Sequence, residues 1–452
     1  GGVFDHIGLG FHRYSTDKRW FFPHFEKMLY DQAMISMAFL ETYQLTNNEN
    51  YAKVAREIFT YVLRDMTDKD GGFYSAEDAD SEGEEGIFYI WTQEELVEIL
   101  GEDDGLKLAK TFGFIDGGNF FEEASGHTTG NNIPYFQDDR ETLAKNVDMS
   151  LDDFNAFIEK SREKLFKVRE KRIHPLKDDK ILTDWNGLMI AALSQGGQIL
   201  GDDVYIDAAK NAVNFVLESL RDKNGRLLKR SRLGKAGLQP HLDDYSFMVF
   251  GLLNLYEATF DPSYLASALE LTEIMIKDFS DKNGGFFIGS KDAEKLMVRA
   301  KDSYDGAIPS GNSVAALNLF RLGKITGNTK WTDLGYSTLK AFTDKAKQSP
   351  TGFAHMLTAF MFDFKNPKEV VLVGDSNDPE TQKIISAIRK NYSPNKVILF
   401  KDVSNPDALL QVAPWTKDHV MINGSPTFYI CENFACKQPT ISLDLAMKYI
   451  NE

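Results

Sequence analysis

The chain has 452 residues, 42% of them apolar and spread along its whole length, which is too much for one ordinary compact core and implies two domains or one large repetitive architecture. A formal charge of -16, with Lys and Arg interspersed among Asp and Glu, disfavours phosphate backbones and anionic lipid as partners, and no run of about eighteen uncharged apolar residues exists to span a bilayer. Only Cys431 and Cys436 are present, too few for a secreted disulfide framework, so reduced thiols and a cytoplasmic location are expected.

The opening "GGVFDHIGLG" matches the Gly-rich turns found later, so a helical hairpin is expected to precede it. That segment, still bound, or a second copy of the chain is then expected to cover the edge left open. "RWFFPHFEKMLYDQA" follows at residues 19 to 33 and gathers Trp20, His24, Glu26, Lys27, Tyr30 and Asp31 at the entry to an apolar helix. From there one layout recurs four times: an apolar helix, a short break, an aromatic residue, an amphipathic helix and a Gly-rich turn. The aromatic anchors are Tyr51, Tyr205, Tyr264 and Trp331; Asp31, Asp184, Asp244 and Gly311 lie 20, 21, 20 and 20 residues upstream of them. With one hairpin lost, four complete and a partial one at "FAHMLTAFMFDF", the count is six, which predicts a mainly α fold, an (α/α)6 toroid over residues 1 to 367.

Residues 77 to 178 interrupt the first turn as a rim insertion, with a strand-like "GIFYIW", a helix "TQEELVEIL", a Gly/Asn-rich loop "GGNFFEEASGHTTGNNIPYF" and a charged helix near 151 to 170. From residue 368 to 452 the pattern becomes a small α/β appendage: "KEVVLVG", the helix "PETQKIISAIRKNY", "NKVILF", "HVMING" and "TFYICEN".

Inner-helix N-termini and Gly-rich turns are expected on one rim. Asp31, Asp184 and Asp244 read equally as helix caps or as functional carboxylates. Capping does not require the neighbours Trp185, Asn186, His241, Asp243, Tyr245, Asp305, Ser310 and Asn312. Together they suggest a polar and aromatic cup suited to a sugar. His24 and His241 are candidates for moving a proton on opposite faces of a sugar carbon, with Asp31, Asp184 and Asp244 as further catalytic candidates or as a hydrolytic carboxylate pair. Arg13, Trp20, Glu26, Lys27, Tyr30, Asp78, Asp80 and Trp91 are expected to bind substrate together with Trp185, Asn186, Tyr245, Asp305, Ser310 and Asn312.

No cofactor or metal is expected. Asp78, Asp80, Glu82 and Gly83 stand at calcium-loop positions, but Tyr89 occupies the place of the bidentate Glu. Cys431 and Cys436 form C-x4-C with no second pair to complete a zinc site, and "VVLVGDSNDPE" has one Gly where a dinucleotide fingerprint needs three.

"GGVFDHIGLGFHRYSTDKRWFFPHFEKMLYDQA", "DGGFYSAEDADSEGEEGIFYIW", "LTDWNGLMIAALS", "LDDYSFMVFGLLNLYEA", "DGAIPSGNS" and "CENFACKQP" resemble the YyaL family of bacteria, related to the spermatogenesis-associated thioredoxin-like proteins of animals. The resemblance implies an N-terminal thioredoxin-like domain, absent here, ahead of an (α/α)6 region akin to N-acylglucosamine 2-epimerases and six-hairpin glycosidases. A sugar epimerase or isomerase, a glycoside hydrolase, and a non-catalytic module partnering the thioredoxin-like segment all remain open.

Overall fold

The structure is a computed structural model and describes residues 1–121, 128–294 and 297–452; part of the expected Gly/Asn-rich loop, residues 122 to 127, lies outside them. In chain order, α1 (Leu29–Thr46) and α2 (Glu49–Asp65) form the first hairpin. The insertion carries α3 (Gln93–Leu100), α4 (Glu102–Thr111), α5 (Arg140–Asn146) and α6 (Leu151–Arg169). The next hairpins are α7 (Thr183–Leu200) with α8 (Asp203–Ser219), α9 (Leu242–Thr259) with α10 (Pro262–Phe279), and α11 (Gly311–Thr326) with α12 (Thr329–Gln348). The series ends on α13 (Ala354–Phe364), after which α14 (Pro379–Lys390), α15 (Pro406–Leu410) and α16 (Leu443–Asn451) accompany a four-stranded sheet. The fold class is the expected one: mainly α, of the (α/α) hairpin type, with a small sheet-bearing C-terminal region.

Two compact units divide the described residues. The first comprises residues 1–32, 56–67 and 74–179, and the second residues 33–55, 68–73 and 180–452. In the first, Thr92 and Glu95 form a reciprocal capping box that starts α3 where the sequence predicts it. "GIFYIW" is not a strand. Phe88 and Tyr89 are turn residues that pack, with Ile90 after them, into a cluster with Phe22, Phe25 and Phe120, and Trp91 makes a single bridge to Asn132. Alternation of apolar residues cannot distinguish such a packed turn from a strand.

In the second unit α7, α9 and α11 are buried on nearly every side, as their continuous apolar runs require. Glycine allows the close approach of α7 and α9: a Cβ on Gly187 would lie 2.5 Å from the Phe247 carbonyl carbon, and one on Gly251 2.7 Å from the Gly187 carbonyl oxygen. By contrast α10 buries one stripe, Leu265, Ala268, Leu271, Thr272, Met275 and Phe279. α13 leaves Leu357, Phe360, Met361 and Phe364 exposed.

The repeat has a chemical origin. Asp68, Asp222 and Asp281 each open a turn in which the backbone N–H donates to the carbonyl four residues on, and Gly71, Gly225 and Gly284 hold the positive φ that the turn needs. A side chain from the first turn of the next inner helix then locks the residue after each turn. Asn186 Oδ1 accepts from the Phe73 N–H at 2.8 Å while Nδ2 donates to the Phe73 carbonyl at 3.0 Å. Asn312 grips Phe286 with the same two distances, and the Tyr245 hydroxyl accepts from the Leu227 N–H at 3.0 Å. In the first unit Gln32 holds both backbone groups of Phe11. These four residues all lie 19 positions before the aromatic anchors, so the sequence spacing reports this lock rather than a cap.

Asn186, Asn312 and Tyr245, expected to meet substrate, therefore have their polar atoms engaged in the fold. Asn312→Ala is expected to cost roughly 2–4 kcal/mol, since it strands buried backbone groups of Phe286 and Asp302. Tyr245→Phe, which removes one hydroxyl and leaves the ring in place, should cost only about 1 kcal/mol. Urea titrations of the two variants decide this, and equal losses would contradict the lock.

In the C-terminal sheet Lys396–Asp402 pairs in parallel with Lys368–Gly374, which pairs antiparallel with Thr427–Glu432, and that strand with Ala435–Cys436. "HVMING" is turn rather than strand, with only Ile422 bridged to Ser425. Cys431 and Cys436, expected as reduced thiols, face each other in register and are joined by a disulfide. C-x4-C is here the spacing of a tight hairpin whose turn residues Asn433 and Phe434 have φ of 50° and 62°. The bond removes cysteine usage as an argument for a reducing compartment. Among the described residues no helix is long and apolar enough to cross a membrane.

Candidate functional site

The quoted stretch assembles a polar group within the first unit. Pro23–His24 pairs with Tyr14–Ser15, which sets Arg13 beside Glu26 at 2.8 Å and the Tyr14 ring 5.0 Å from that of His24. The acidic segment after Asp78 folds into a hairpin, Asp80–Ser81 against Glu84–Glu85, turning at Glu82 and Gly83, and delivers Glu85 to His24. His24 Nδ1 lies 2.6 Å from Glu85 Oε1 and Nε2 lies 3.3 Å from Glu26 Oε2, so both ring nitrogens are taken by carboxylates. In the first turn of α1, Asp31 is pushed up to about 7, chiefly by burial, with Arg13 opposing and Glu26 adding to the rise. Its Oδ2 is buried without a hydrogen-bond partner. Burial, followed by the charge of Asp31, also raises Tyr30.

The second unit has its own carboxylate group, built where α7 and α9 begin. The N-cap positions are Leu182, His241 and Ser310, so Asp184 and Asp244 are first-turn residues rather than caps. Lys229, from the turn after α8, reaches Asp184 Oδ2 at 2.5 Å and Asp244 Oδ1 at 3.2 Å. Asp244 also accepts from the backbone N–H groups of Asp184 and His241. Two buried carboxylates share one ammonium. Burial and the charge of Asp184 push Asp244 up against the pull of Lys229, while the two carboxylates raise Lys229 against its own burial. Asp243 is pushed up to about 6, first by burial and then by Asp184. His241 is lowered by burial and by Lys229.

No family model matches the chain. Human spermatogenesis-associated protein 20 is 36% identical over 468 residues, which cover 97% of this chain and 59% of that protein. The chain is its relative. It spans about three fifths of the length of the human, rat and mouse proteins it matches. Among solved structures, D-mannose isomerase is similar over 74% of this chain and 80% of its own at 14% identity and a TM-score of 0.37. Cellobiose 2-epimerase from Spirochaeta thermophila is similar over 76% and 80% at 10% identity and a TM-score of 0.41.

The remaining predicted residues divide clearly. Trp185 is half-buried beside Asp184, whose Oδ1 accepts its N–H at 2.9 Å. Trp20 is 67% exposed, and Asp78 and Asp80 are exposed on their hairpin. Trp91, expected at a substrate, is fully buried in the core between α3, α4 and α6 with the Arg172 guanidinium 3.8 Å above its ring. Lys27 is also buried, held by Asp5 at 2.7 Å. Asp305 accepts from Ser310, His355 and Met356 N–H groups and so starts α13, while Ser310 caps α11. The residues that sequence reasoning missed are Lys229, in the turn after α8 and 45 residues from Asp184, and Glu85, on a short hairpin strand 61 residues from His24. Only their charge marked them, and charge is common in turns.

Proposed function

We propose that the chain is a carbohydrate-directed acid–base enzyme in which first-turn carboxylates, rather than a histidine pair, transfer the proton. Asp31 carries the reading. A carboxyl pushed up to about 7 is partly protonated at neutral pH, which a general acid requires. Glu26, beside Arg13, is the accompanying carboxylate, and a carboxylate pair is what glycoside hydrolysis uses. Arg13 and Tyr30 supply hydroxyl-binding groups, and the exposed ring of Tyr14 offers a face to a pyranose. His24 holds Glu26 and Glu85 in place. In this reading the Asp184, Asp243, Asp244 and His241 group is a separate acid–base candidate within the second unit, the location is cytoplasmic, and a thioredoxin-like segment precedes the chain in the intact protein. Residues 77 to 178 act as the rim insertion and 368 to 452 as a subdomain.

Thermal-shift screening against mono- and oligosaccharides tests the reading. A ligand at a hundred times its dissociation constant adds about 2.7 kcal/mol. Asp31→Asn should keep the shift given by the best ligand and lose turnover of it by at least about a hundredfold. Silence across a broad panel, or full turnover by Asp31→Asn, would sink the proposal. Titration has a second consequence: because the folded-state value of Asp31 lies above that of the unfolded chain, its contribution to stability falls as pH rises from about 4 to about 7.

A further inference from the structure

The C-terminal sheet brings His419 to the cysteine pair. One ligand atom from each of His419, Cys431 and Cys436 lies within 4.8 Å of the other two, and His419 Nε2 is 4.0 Å from Cys436 Sγ. His419 is 91% buried, its Nδ1 has no geometrically sound hydrogen-bond partner although the Thr416 backbone lies close to the ring, and its Nε2 faces the Cys436 sulfur. A buried ring nitrogen left without a partner is uncommon, and an ion is one of the groups that accounts for it.

The ring is held firmly. Lys401 Nζ, itself buried, donates to the carbonyls of Thr416, Lys417 and His419, which fixes the loop. The Tyr429 hydroxyl, from the strand that bears Cys431, bonds both backbone groups of Val420. Trp415 and Tyr429 meet the imidazole edge-on with centroids at 5.5 and 4.2 Å. Such locking of a loop ligand against a strand is what a metal site requires.

We propose that the reduced Cys431–Cys436 pair and His419 form a three-ligand site for a soft divalent metal such as zinc, with one position left open. A thiol reductant first supplies two electrons and two protons, converting the disulfide into two thiols and itself becoming oxidised. Metal binding then displaces two protons as both sulfurs become thiolates. Tetrahedral zinc with sulfur at about 2.3 Å and nitrogen at about 2.0 Å places its ligand atoms roughly 3.5–3.8 Å apart. The separation of His419 Nε2 from Cys436 Sγ therefore closes from 4.0 Å by about half an ångström, while the two sulfurs, bonded to each other in the disulfide, move apart to about 3.8 Å on reduction and metal binding. Cys436 is exposed, which gives the metal a path in, and Cys431 is buried. Two thiolates and an imidazole select zinc, or cobalt as its probe, over magnesium or calcium.

The experiment titrates the full chain with cobalt under anaerobic conditions, once oxidised and once after reduction. The reduced chain is expected to bind one cobalt with a thiolate-to-cobalt charge-transfer band that zinc abolishes, and the oxidised chain to show none. Cys436→Ser, at an exposed position, should lose most of the band, and His419→Gln should weaken binding while keeping a folded far-ultraviolet spectrum. Absence of the band in the reduced chain overturns the proposal. So does a band of equal strength in the oxidised chain or in both variants.

Discussion

Asp5→Asn should destabilise the first unit by about 3–5 kcal/mol, the range found when a buried charge pair loses one member. Asp5 accepts from Lys27 at 2.7 Å and from both terminal nitrogens of Arg169 at 2.9 Å, and its Oδ1 also takes the N–H groups of Ile7 and Gly8. All three charged residues are almost fully buried. Asparagine keeps the shape and leaves two buried cations without their anion. Arg169 and Lys27 hold the Asp5 carboxyl well below the ordinary carboxylate range despite its burial. Its contribution is therefore complete above about pH 5 and is lost only as pH falls through that depressed value. Denaturant titrations should show a difference between the two proteins that is flat from about pH 5 to 8 and closes in strong acid. A difference under about 1 kcal/mol at neutral pH would mean that other groups neutralise these cations.

The second large effect belongs to Lys229→Met. Methionine retains most of the aliphatic stem and removes the ammonium bonded to Asp184 and Asp244, so a loss of about 3–5 kcal/mol is expected at neutral pH. Without the cation Asp244, already pushed up by burial and by the charge of Asp184, favours its protonated form more strongly than in the native protein. Acidification then neutralises the uncompensated charge, and the deficit should shrink between about pH 7 and 4. A deficit that is the same at every pH in that window would assign the effect to packing. Both deficits shrink on acidification, but in different windows: that of Asp5→Asn closes only in strong acid, whereas that of Lys229→Met is already relieved by mild acidification, which separates an anion shared by two cations from a cation shared by two anions.

Those two networks also show where sequence reading stops. The hairpins were legible because each apolar run is long and each turn carries its own Asp and Gly, so local chemistry and tertiary position agree. The first-turn acids at 31, 184 and 244 were legible as a recurring feature, although the constant spacing belonged to Gln32, Asn186, Tyr245 and Asn312. Asp5 meets Arg169 across 164 residues, and nothing in either neighbourhood announces the other. Trp91 misled for the opposite reason. An aromatic residue in a predicted rim segment has the same sequence signature whether it lines a cup or fills the core of an insertion. The cysteines were read by the spacing rules for helical and loop motifs, whereas their pairing follows from strand register, and His419 reaches them only through the sheet.

The lock between Asn186 and Phe73 has a consequence for how this molecule tolerates growth. It spans 113 residues, whereas the Tyr245–Leu227 lock spans 18, yet both hold a turn through hydrogen bonds to the backbone of the residue that follows it. Within the first unit the two ends of the long excursion are tied together separately: Ser75 donates twice to the Asp178 carbonyl, and Ala76 and Glu77 pair with Asp178 and Lys177. Closing a loop of 113 rather than 18 residues costs only about 1.6 kcal/mol more in chain entropy. The excursion is thus a cassette with a sewn neck. Its contents can be lengthened, shortened or exchanged without shifting the register of a single inner helix, so its chemistry can diverge while the helical frame stays unchanged.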